Sequence, residues 1–153
     1  MEIVKFKKNQ ALVRQGEIAN EMFEILTGQV GIYMDYGDEA QKEIGILSEG
    51  DYLGEMELID SSTRIASAIA LDNNVTAKKL SIEDFNDLIK ENPAKIVLII
   101  QQLCSRVRKL DNHYLDACKT IEEFKEAVDE KRELSPELLV NIRNFTSVAK
   151  KRK

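Results

Sequence analysis

The sequence has few cysteines, and this shortage limits how the fold can be held together. Cys104 and Cys118 are the only two in 153 residues, and they fall within one predicted helix. At about 1.5 Å of rise per residue they lie roughly 21 Å apart along that helix, too far for a disulfide between them. We therefore expect free thiols, buried or half-buried. A chain of this length can bury a core without disulfides.

Histidine is almost absent, which excludes several kinds of site. The single histidine, His113, cannot form the histidine cluster of a metal-binding β-barrel, and no zinc-finger spacing occurs. Ser61, Ser62 and Ser67 have no histidine near them in sequence and no Gly-x-Ser-x-Gly turn is present, so nucleophilic catalysis has no support. We predict a protein that is not an enzyme, with no metal or cofactor, and an exposed His113.

Long apolar runs and a strong basic charge are also missing. The chain carries 22 Lys and Arg against 27 Asp and Glu, a net charge of −5 that gives no global field for nucleic acid. Neither a signal-peptide core nor a run of about 18 apolar residues occurs. These absences predict a cytoplasmic protein that neither enters a membrane nor binds DNA.

What is present before residue 80 is a series of short strands. The runs MFEIL, VGIYM, KEIGIL and VTAKKL are rich in β-branched and aromatic residues, and glycine- or asparagine-containing turns separate them. Regular spacing of short strands and tight turns predicts an all-β barrel or sandwich.

After residue 80 glycine disappears and helices are predicted. Ser81–Asp84 resembles a capping box and should begin a helix that runs to about Lys90, and Pro93 suits the first position of another. A short helix should begin at Ser135-Pro136, before a frayed basic tail at 150–153. Its apolar face would consist of Leu138, Leu139, Ile142 and Phe145. These boundaries predict three parts, 1–92, 93–131 and 132–153.

The long helix after Pro93 carries an apolar stripe whose members are spaced alternately by four and three residues. Its members are Ile96, Ile100, Leu103, Val107, Leu110, Tyr114, Ala117, Ile121, Phe124 and Val128. Such spacing is typical of a coiled coil and predicts a homodimer through residues 96–128. Two alternatives stay open: the stripe packs on the chain's own barrel, or Thr120 caps a fresh helix and interrupts the stripe.

The segment GEMELIDSSTRIASAIA combines an acid and a base, Glu55 and Arg64, around small polar residues. If Gly54 ends a strand and Glu55 begins a helical turn, the free amides of that turn stabilise an anion. Arg64 would add two N–H donors to the same phosphate, and Glu55, which only accepts, suits sugar hydroxyls. The pair therefore fits a sugar phosphate. A plain salt bridge between the two residues is the alternative.

The surrounding pattern resembles the cyclic-nucleotide-binding domain of catabolite-activator-like regulators, protein kinase A regulatory subunits and gated channels. The resemblance runs from about Leu12 to Leu110. It rests on LVRQGEIANEMFEILTGQVGIYM, on GDYLGE, and on the segment from Gly54 onward. It implies a β-roll (a jelly roll, or double-stranded β-helix) followed by α-helices that include a long dimerisation-type helix.

The same resemblance implies a role for individual residues. Glu55 would hold the ribose 2′-hydroxyl, Arg64 would pair with the cyclic phosphate, and backbone amides near Met56 and Ile65 would complete the cradle. The base would be closed over from the region 110–114. The implied ligand residues are Gly54, Glu55, Met56, Glu57, Arg64, Ile65, Ala66 and Ser67, with Leu110 and Asn112 as possible base contacts.

Two residues depart from the family pattern. Glu57 stands where Ala, Gly or Ser is usual, and its carboxylate either repels a phosphate or points to solvent. Ile65 stands where Ala, Ser or Thr is usual, and without the threonine that helps cGMP-selective relatives we expect cAMP rather than cGMP.

Two functions remain open at this point. One is a cyclic nucleotide sensor or regulatory module that signals through its helices to a second subunit or an unidentified protein partner. The other is a degenerate fold that acts as a dimerisation or docking scaffold without ligand. The winged helix-turn-helix of catabolite-activator-like regulators is not expected, since only 33 residues follow Thr120.

Overall fold

The computed structural model describes residues 2–146, which form eight strands and four helices. The strands are β1 Glu2–Phe6, β2 Ala11–Val13, β3 Glu21–Thr27, β4 Val30–Met34, β5 Lys42–Leu47, β6 Tyr52–Leu53, β7 Ser67–Ala70 and β8 Val75–Ser81. The helices are α1 Glu55–Asp60, α2 Ile82–Glu91, α3 Pro93–Asp129 and α4 Pro136–Thr146.

The strands pair into two antiparallel four-stranded sheets. One sheet has the order β1-β8-β3-β6 and the other β2-β7-β4-β5. Strands of both sheets contribute to one apolar core, whose buried members include Phe23 on β3, Val30 on β4 and Ala68 on β7. The predicted class, a β-roll followed by helices that include one long helix, is confirmed.

The chain divides into two compact units, Met1–Gln102 and Leu103–Lys153, and α3 passes from one into the other. The predicted three-part division 1–92, 93–131 and 132–153 stays a prediction. The first unit contains both sheets, α1, α2 and the first turns of α3. It therefore holds every element needed to position the segment that begins at Gly54.

The predicted capping box at the start of α2 is confirmed. The Ser81 hydroxyl accepts from the Asp84 N–H at 3.2 Å, and the Asp84 carboxylate accepts from the Ser81 N–H at 3.0 Å. The next helix begins at Pro93, as predicted.

The first turns of α3 are fixed to the strands of the first unit. The Lys95 ammonium donates to the Glu24 carboxylate on β3 at 2.6 Å. The Gln102 side chain, two turns later, bonds both to the Tyr52 N–H and to the Gly50 carbonyl, and Ile99 between them is buried. Burial disfavours the Lys95 charge, but the Glu24 hydrogen bond and ion pair outweigh burial and raise the pKa of Lys95.

The helix α3 continues without a break, so the expectation that Thr120 caps a fresh helix is wrong. The Thr120 hydroxyl donates to the Asp116 carbonyl at 2.9 Å, a bond one turn back inside the same helix. The helix ends in a Schellman motif: Lys131 is left-handed, with φ +55°, and the Arg132 N–H donates to the Ala127 carbonyl at 3.0 Å.

The apolar stripe lies largely in contact with solvent in the single chain. Seven of its members are at least 41% exposed: Ile100, Val107, Leu110, Tyr114, Ile121, Phe124 and Val128. The buried residue on the first turns of α3 is Ile99, which is not part of the stripe. Packing of the stripe on the chain's own barrel stays an alternative to the dimer.

The last described helix begins where the sequence predicts it. The Ser135 hydroxyl accepts from the Leu138 N–H at 3.1 Å, and Leu138 is buried whereas Leu139 is half exposed. The Phe145 side chain and the predicted basic tail at 150–153 lie outside the described residues.

The expectations about the histidine and the two cysteines are met in part. His113 is exposed, as predicted. Both cysteines are free thiols, and Cys118 is half-buried. The expectation of burial is wrong for Cys104, which is exposed on α3.

Candidate functional site

The segment from Gly54 to Ser67, here called the cassette, connects β6 to β7. As predicted, Gly54 follows a strand and Glu55 begins a short helix. Gly54 adopts a left-handed φ of +78°, and a Cβ at this position would overlap the guanidinium of Arg64. Both the turn and the approach of Arg64 therefore require a glycine here.

Arg64 is held inside the cassette by acceptors of the protein itself. Its residue is only 4% exposed. Nη1 donates to the Gly54 carbonyl at 3.2 Å, and Nη2 donates to the Glu21 carbonyl of β3. An ion pair joins Nη1 to a carboxylate oxygen of Glu57 at 3.6 Å. Burying a guanidinium is costly without a partner anion, so Glu57 compensates the charge of Arg64.

Glu57 occupies a position between two donors. One carboxylate oxygen pairs with Arg64, and the other accepts from the Ile65 N–H at 3.3 Å. The residue is 7% exposed, so the alternative in which Glu57 points to solvent is wrong. Its carboxylate therefore connects the Arg64 guanidinium to the backbone amide of the next residue, Ile65.

The remaining predicted ligand residues differ in their exposure. Glu55 is 1% exposed, whereas Met56 beside it is 47% exposed. Ile65 is 58% exposed although its N–H lies inside the cassette, and Ala66 and Ser67 are buried. The cassette thus combines a buried polar interior with an apolar exterior.

One part of the site was not predicted as such. The segment Arg14–Glu17 pairs with the cassette through backbone bonds: the Gly16 N–H donates to the Arg64 carbonyl at 2.8 Å, and the Arg64 N–H donates to the Glu17 carbonyl at 2.9 Å. The Gln15 N–H donates to the Ser67 hydroxyl at 3.0 Å. Backbone pairing has no side-chain signature, so the sequence marked this segment only as part of the stretch LVRQGEIANEMFEILTGQVGIYM.

A cavity of about 430 Å³ opens beside this pairing. Its lining residues are Arg14, Gln15, Gly16, Asp35, Tyr36, Asp38 and Ser67. Of the predicted ligand residues, this cavity includes Ser67. The two residues predicted for base contact, Leu110 and Asn112, are exposed on α3 within the second unit, and their role stays a prediction.

Neither a metal centre nor a membrane helix is found among residues 2–146. No group of three or more His, Cys, Asp or Glu side chains there is arranged to hold a metal ion. Within the same range, every helix is too short or too polar to cross a bilayer.

Replacing Gly54 tests the close approach of Arg64. We expect Gly54→Ala to lose about 1–2 kcal/mol of unfolding free energy from the left-handed backbone alone, and more because Arg64 must move. Gly37→Ala is the matched control, since Gly37 has a φ of +91° and open space around it. Urea denaturation of the two variants should show the larger loss for Gly54. Equal losses would contradict the crowding by Arg64.

With this geometry established, three comparisons place the chain among known proteins. The family model described as "Cyclic nucleotide-binding domain" matches residues 3–92. The cAMP-activated global transcriptional regulator CRP of Salmonella typhimurium is 26% identical over 108 residues, 69% of this chain and 50% of the regulator. The cAMP-dependent protein kinase type II regulatory subunit of Drosophila melanogaster is 32% identical over 84 residues, 55% of this chain and 22% of that subunit.

A solved structure agrees with these relatives. The cyclic nucleotide-binding domain from Methylobacillus flagellatus is 26% identical with a TM-score of 0.59, over 70% of this chain and 62% of that one. The chain spans half or less of the length of the curated relatives it matches. The family match covers both sheets, the whole cassette and α2. The chain therefore belongs to the cyclic nucleotide-binding domain family.

Proposed function

We propose that this chain binds a cyclic nucleotide, cAMP in preference to cGMP, and signals binding through its helical segment. The observation that carries the proposal is the buried Arg64 guanidinium, held within hydrogen-bonding distance of Gly54 at the start of α1. A buried arginine in a loop between strands is suited to bind an anion that enters the loop. Such a site is a binding site rather than a catalytic one.

Each polar group of the cassette has a role in this proposal. Arg64 presents two parallel N–H donors to the cyclic phosphate, and the Ile65 N–H adds a third. Glu55, 1% exposed, accepts from the ribose hydroxyl, a bond that is stronger away from water. The preference for cAMP follows from Ile65, which has no hydroxyl to donate to a guanine.

The route from the cassette to the helices runs through Gln102. Its side chain accepts from the Tyr52 N–H at 3.1 Å and donates to the Gly50 carbonyl at 3.0 Å. Tyr52 lies on β6, two residues before Gly54. A change in the cassette therefore reaches α3 through one short strand and two hydrogen bonds, and binding biases how α3 is held.

Gln102→Ala is expected to separate binding from signalling. The variant keeps every side chain of the cassette, so its affinity for cAMP should stay within about twofold of the wild type, a change of under 0.5 kcal/mol. Hydrogen exchange across residues 95–102 should no longer change on addition of cAMP. Gln101→Ala, at the exposed neighbouring position, is the control and should behave as the wild type. A nucleotide-dependent change that persists without Gln102 would exclude this route.

Assembly is a further part of the proposal. The exposed stripe on α3 favours a homodimer through residues 96–128, which would hold two cassettes in one assembly. The proposal also includes a further protein partner that binds the helices. The cytoplasmic location, and the absence of catalysis and DNA binding in this chain, stay predictions.

A second candidate function is a scaffold that has lost its ligand. The observation that favours it is Glu57, whose carboxylate already holds Arg64 and the Ile65 N–H. A fold that satisfies its own donors stays folded without nucleotide. It could then work only through α3 as a dimerisation or docking element.

Calorimetric titration distinguishes the two functions. We expect heat of binding with cAMP, less with cGMP, and none with a cyclic dinucleotide as the control for non-specific phosphate binding. If neither cAMP nor cGMP at millimolar concentration gives heat or a thermal shift, the sensor fails and the scaffold is supported.

A further inference from the structure

Glu57 contacts two groups, the Arg64 guanidinium and the Ile65 N–H, that the proposed function assigns to the cyclic phosphate. One carboxylate oxygen lies 3.6 Å from Arg64 Nη1, and the other accepts from the Ile65 N–H at 3.3 Å. A carboxylate bridging an arginine and a backbone amide has the charge and the acceptor geometry of a phosphate group. Glu57 therefore stands in, chemically, for two oxygens of that group.

We propose that Glu57 is a built-in anion, and that a nucleotide binds by displacing its carboxylate from Arg64 and Ile65. The inference rests on the proposed function, because it takes Arg64 as the phosphate partner. Glu57 is then the residue that sets the affinity of the site, and binding is an exchange of one anion for another.

The physical basis is that one guanidinium neutralises the charge of one anion, not of two. If the carboxylate stays while a phosphate enters, two like charges lie within a few ångströms in a site mostly shielded from water, where repulsion is strong. If the carboxylate leaves, the ligand must compensate for the lost ion pair. Either way the wild-type site binds a cyclic nucleotide more weakly than the same site without the charge.

The displacement requires movement of only a short segment. Glu57 lies on α1, which has six residues and is bounded by left-handed residues, Gly54 with φ +78° and Ser61 with φ +59°. Neighbouring Met56 and Ile59 are substantially exposed, so few apolar contacts hold this side of the helix. The carboxylate also sits at the end of three rotatable bonds, which allows it to turn away without refolding the sheets.

Two substitutions separate the charge of Glu57 from its hydrogen bond. Glu57→Gln keeps an oxygen that accepts from the Ile65 N–H but removes the anion beside Arg64, whereas Glu57→Ala removes both. Glu49→Gln is the control, since it removes the same charge at an exposed position in the turn after β5. We expect cAMP to bind both Glu57 variants at least about tenfold more tightly than the wild type or the control.

A second measurement makes no use of a nucleotide. Inorganic phosphate should raise the melting temperature of Glu57→Ala, whose donors are freed, and leave that of the wild type and Glu49→Gln almost unchanged. Amide exchange at Ile65 should be faster in Glu57→Ala than in the wild type, and close to wild type in Glu57→Gln. These readouts report on the built-in anion even if the natural ligand is something else.

The outcomes distinguish this inference from the proposed function. Tight cAMP binding by the wild type that is unchanged in both Glu57 variants would overturn the inference and leave the proposed function intact. Stabilisation of Glu57→Ala by phosphate, without cAMP or cGMP binding to any variant, would support the inference and overturn the proposed function. Loss of cAMP binding in both variants would show that Glu57 holds the ligand, and would also overturn the inference.

Discussion

Arg64→Ala is expected to lower the affinity for cAMP at least about a hundredfold and to destabilise the fold by about 3–5 kcal/mol. The first effect follows from loss of a charge-assisted bidentate pair to the phosphate, on the order of 2–4 kcal/mol. The second follows because Glu57, 7% exposed, keeps a buried carboxylate with no arginine beside it. Calorimetry measures the first effect and urea denaturation the second.

Two further variants make this result specific. Arg64→Lys keeps a positive charge near Glu57 but cannot bond Gly54 and Glu21 as a planar fork, so it should recover stability more than affinity. Arg132→Ala removes an exposed arginine from the turn after α3 and should change neither. Arg64→Ala that folds stably and binds cAMP as the wild type does would refute the role of Arg64 in both structure and ligand binding.

Combining the two changes gives a sharper test of the pair. Arg64 and Glu57 neutralise each other in the cassette, so removing both should destabilise the fold less than the sum of the single changes. Binding should not recover in the double variant, since the phosphate then has no guanidinium. This asymmetry separates the structural role of the pair from its role towards a ligand.

Much of the fold could be predicted because its signals are local. Ser81 and Asp84 satisfy each other's backbone donors over three residues, so a motif of four consecutive residues predicts the start of α2. Pro93 suits a first helical turn for equally local reasons, and α3 begins there. Short strands bounded by turns indicated the all-β part, although strand order, which depends on distant pairing, did not follow from them.

Thr120 shows where local signals mislead. Its hydroxyl and the acids after it fit a helix cap, but the same hydroxyl also bonds one turn back inside a continuing helix. Which of the two occurs depends on whether the preceding residues are already helical. In α3 they are, and the propensity of a whole helix outweighs one capping motif.

In the cassette, the sequence predicted which residues suit a sugar phosphate, but not which residues contact one another. The Gly54 turn and the short helix after it followed from the sequence, because they are consecutive. The position of Glu57 did not, since its contacts with Arg64 and Ile65 span seven and eight residues and depend on how the loop closes. The same is true of the carbonyl of Glu21, which no side-chain pattern marks.

The exposed stripe on α3 predicts that the protein in solution has twice the chain mass of 17.4 kDa. Its exposed members recur at spacings of three, four and seven residues, so they line one side of the helix and leave an apolar surface in contact with water. Ile100 and Val107 alternate with Leu103 and Leu110, a choice that favours two parallel strands. A second copy of the same helix covers this surface with the same residues.

Val107→Glu should convert that dimer to a monomer. Two-fold symmetry brings the two introduced carboxylates close together in an apolar contact, and an unpaired buried charge costs several kcal/mol, at least a hundredfold in the dimer dissociation constant. Glutamate favours helix more than valine does, so α3 itself should not weaken. Ser105→Glu adds the same charge on the opposite side of the helix, where the residue is exposed, and should leave the dimer intact.

Light scattering at tens of micromolar protein measures the solution mass and so tests this prediction. A wild-type mass of 17.4 kDa with and without cAMP would mean that the stripe is not a dimer interface, and that α3 reports nucleotide binding to a different partner or to none.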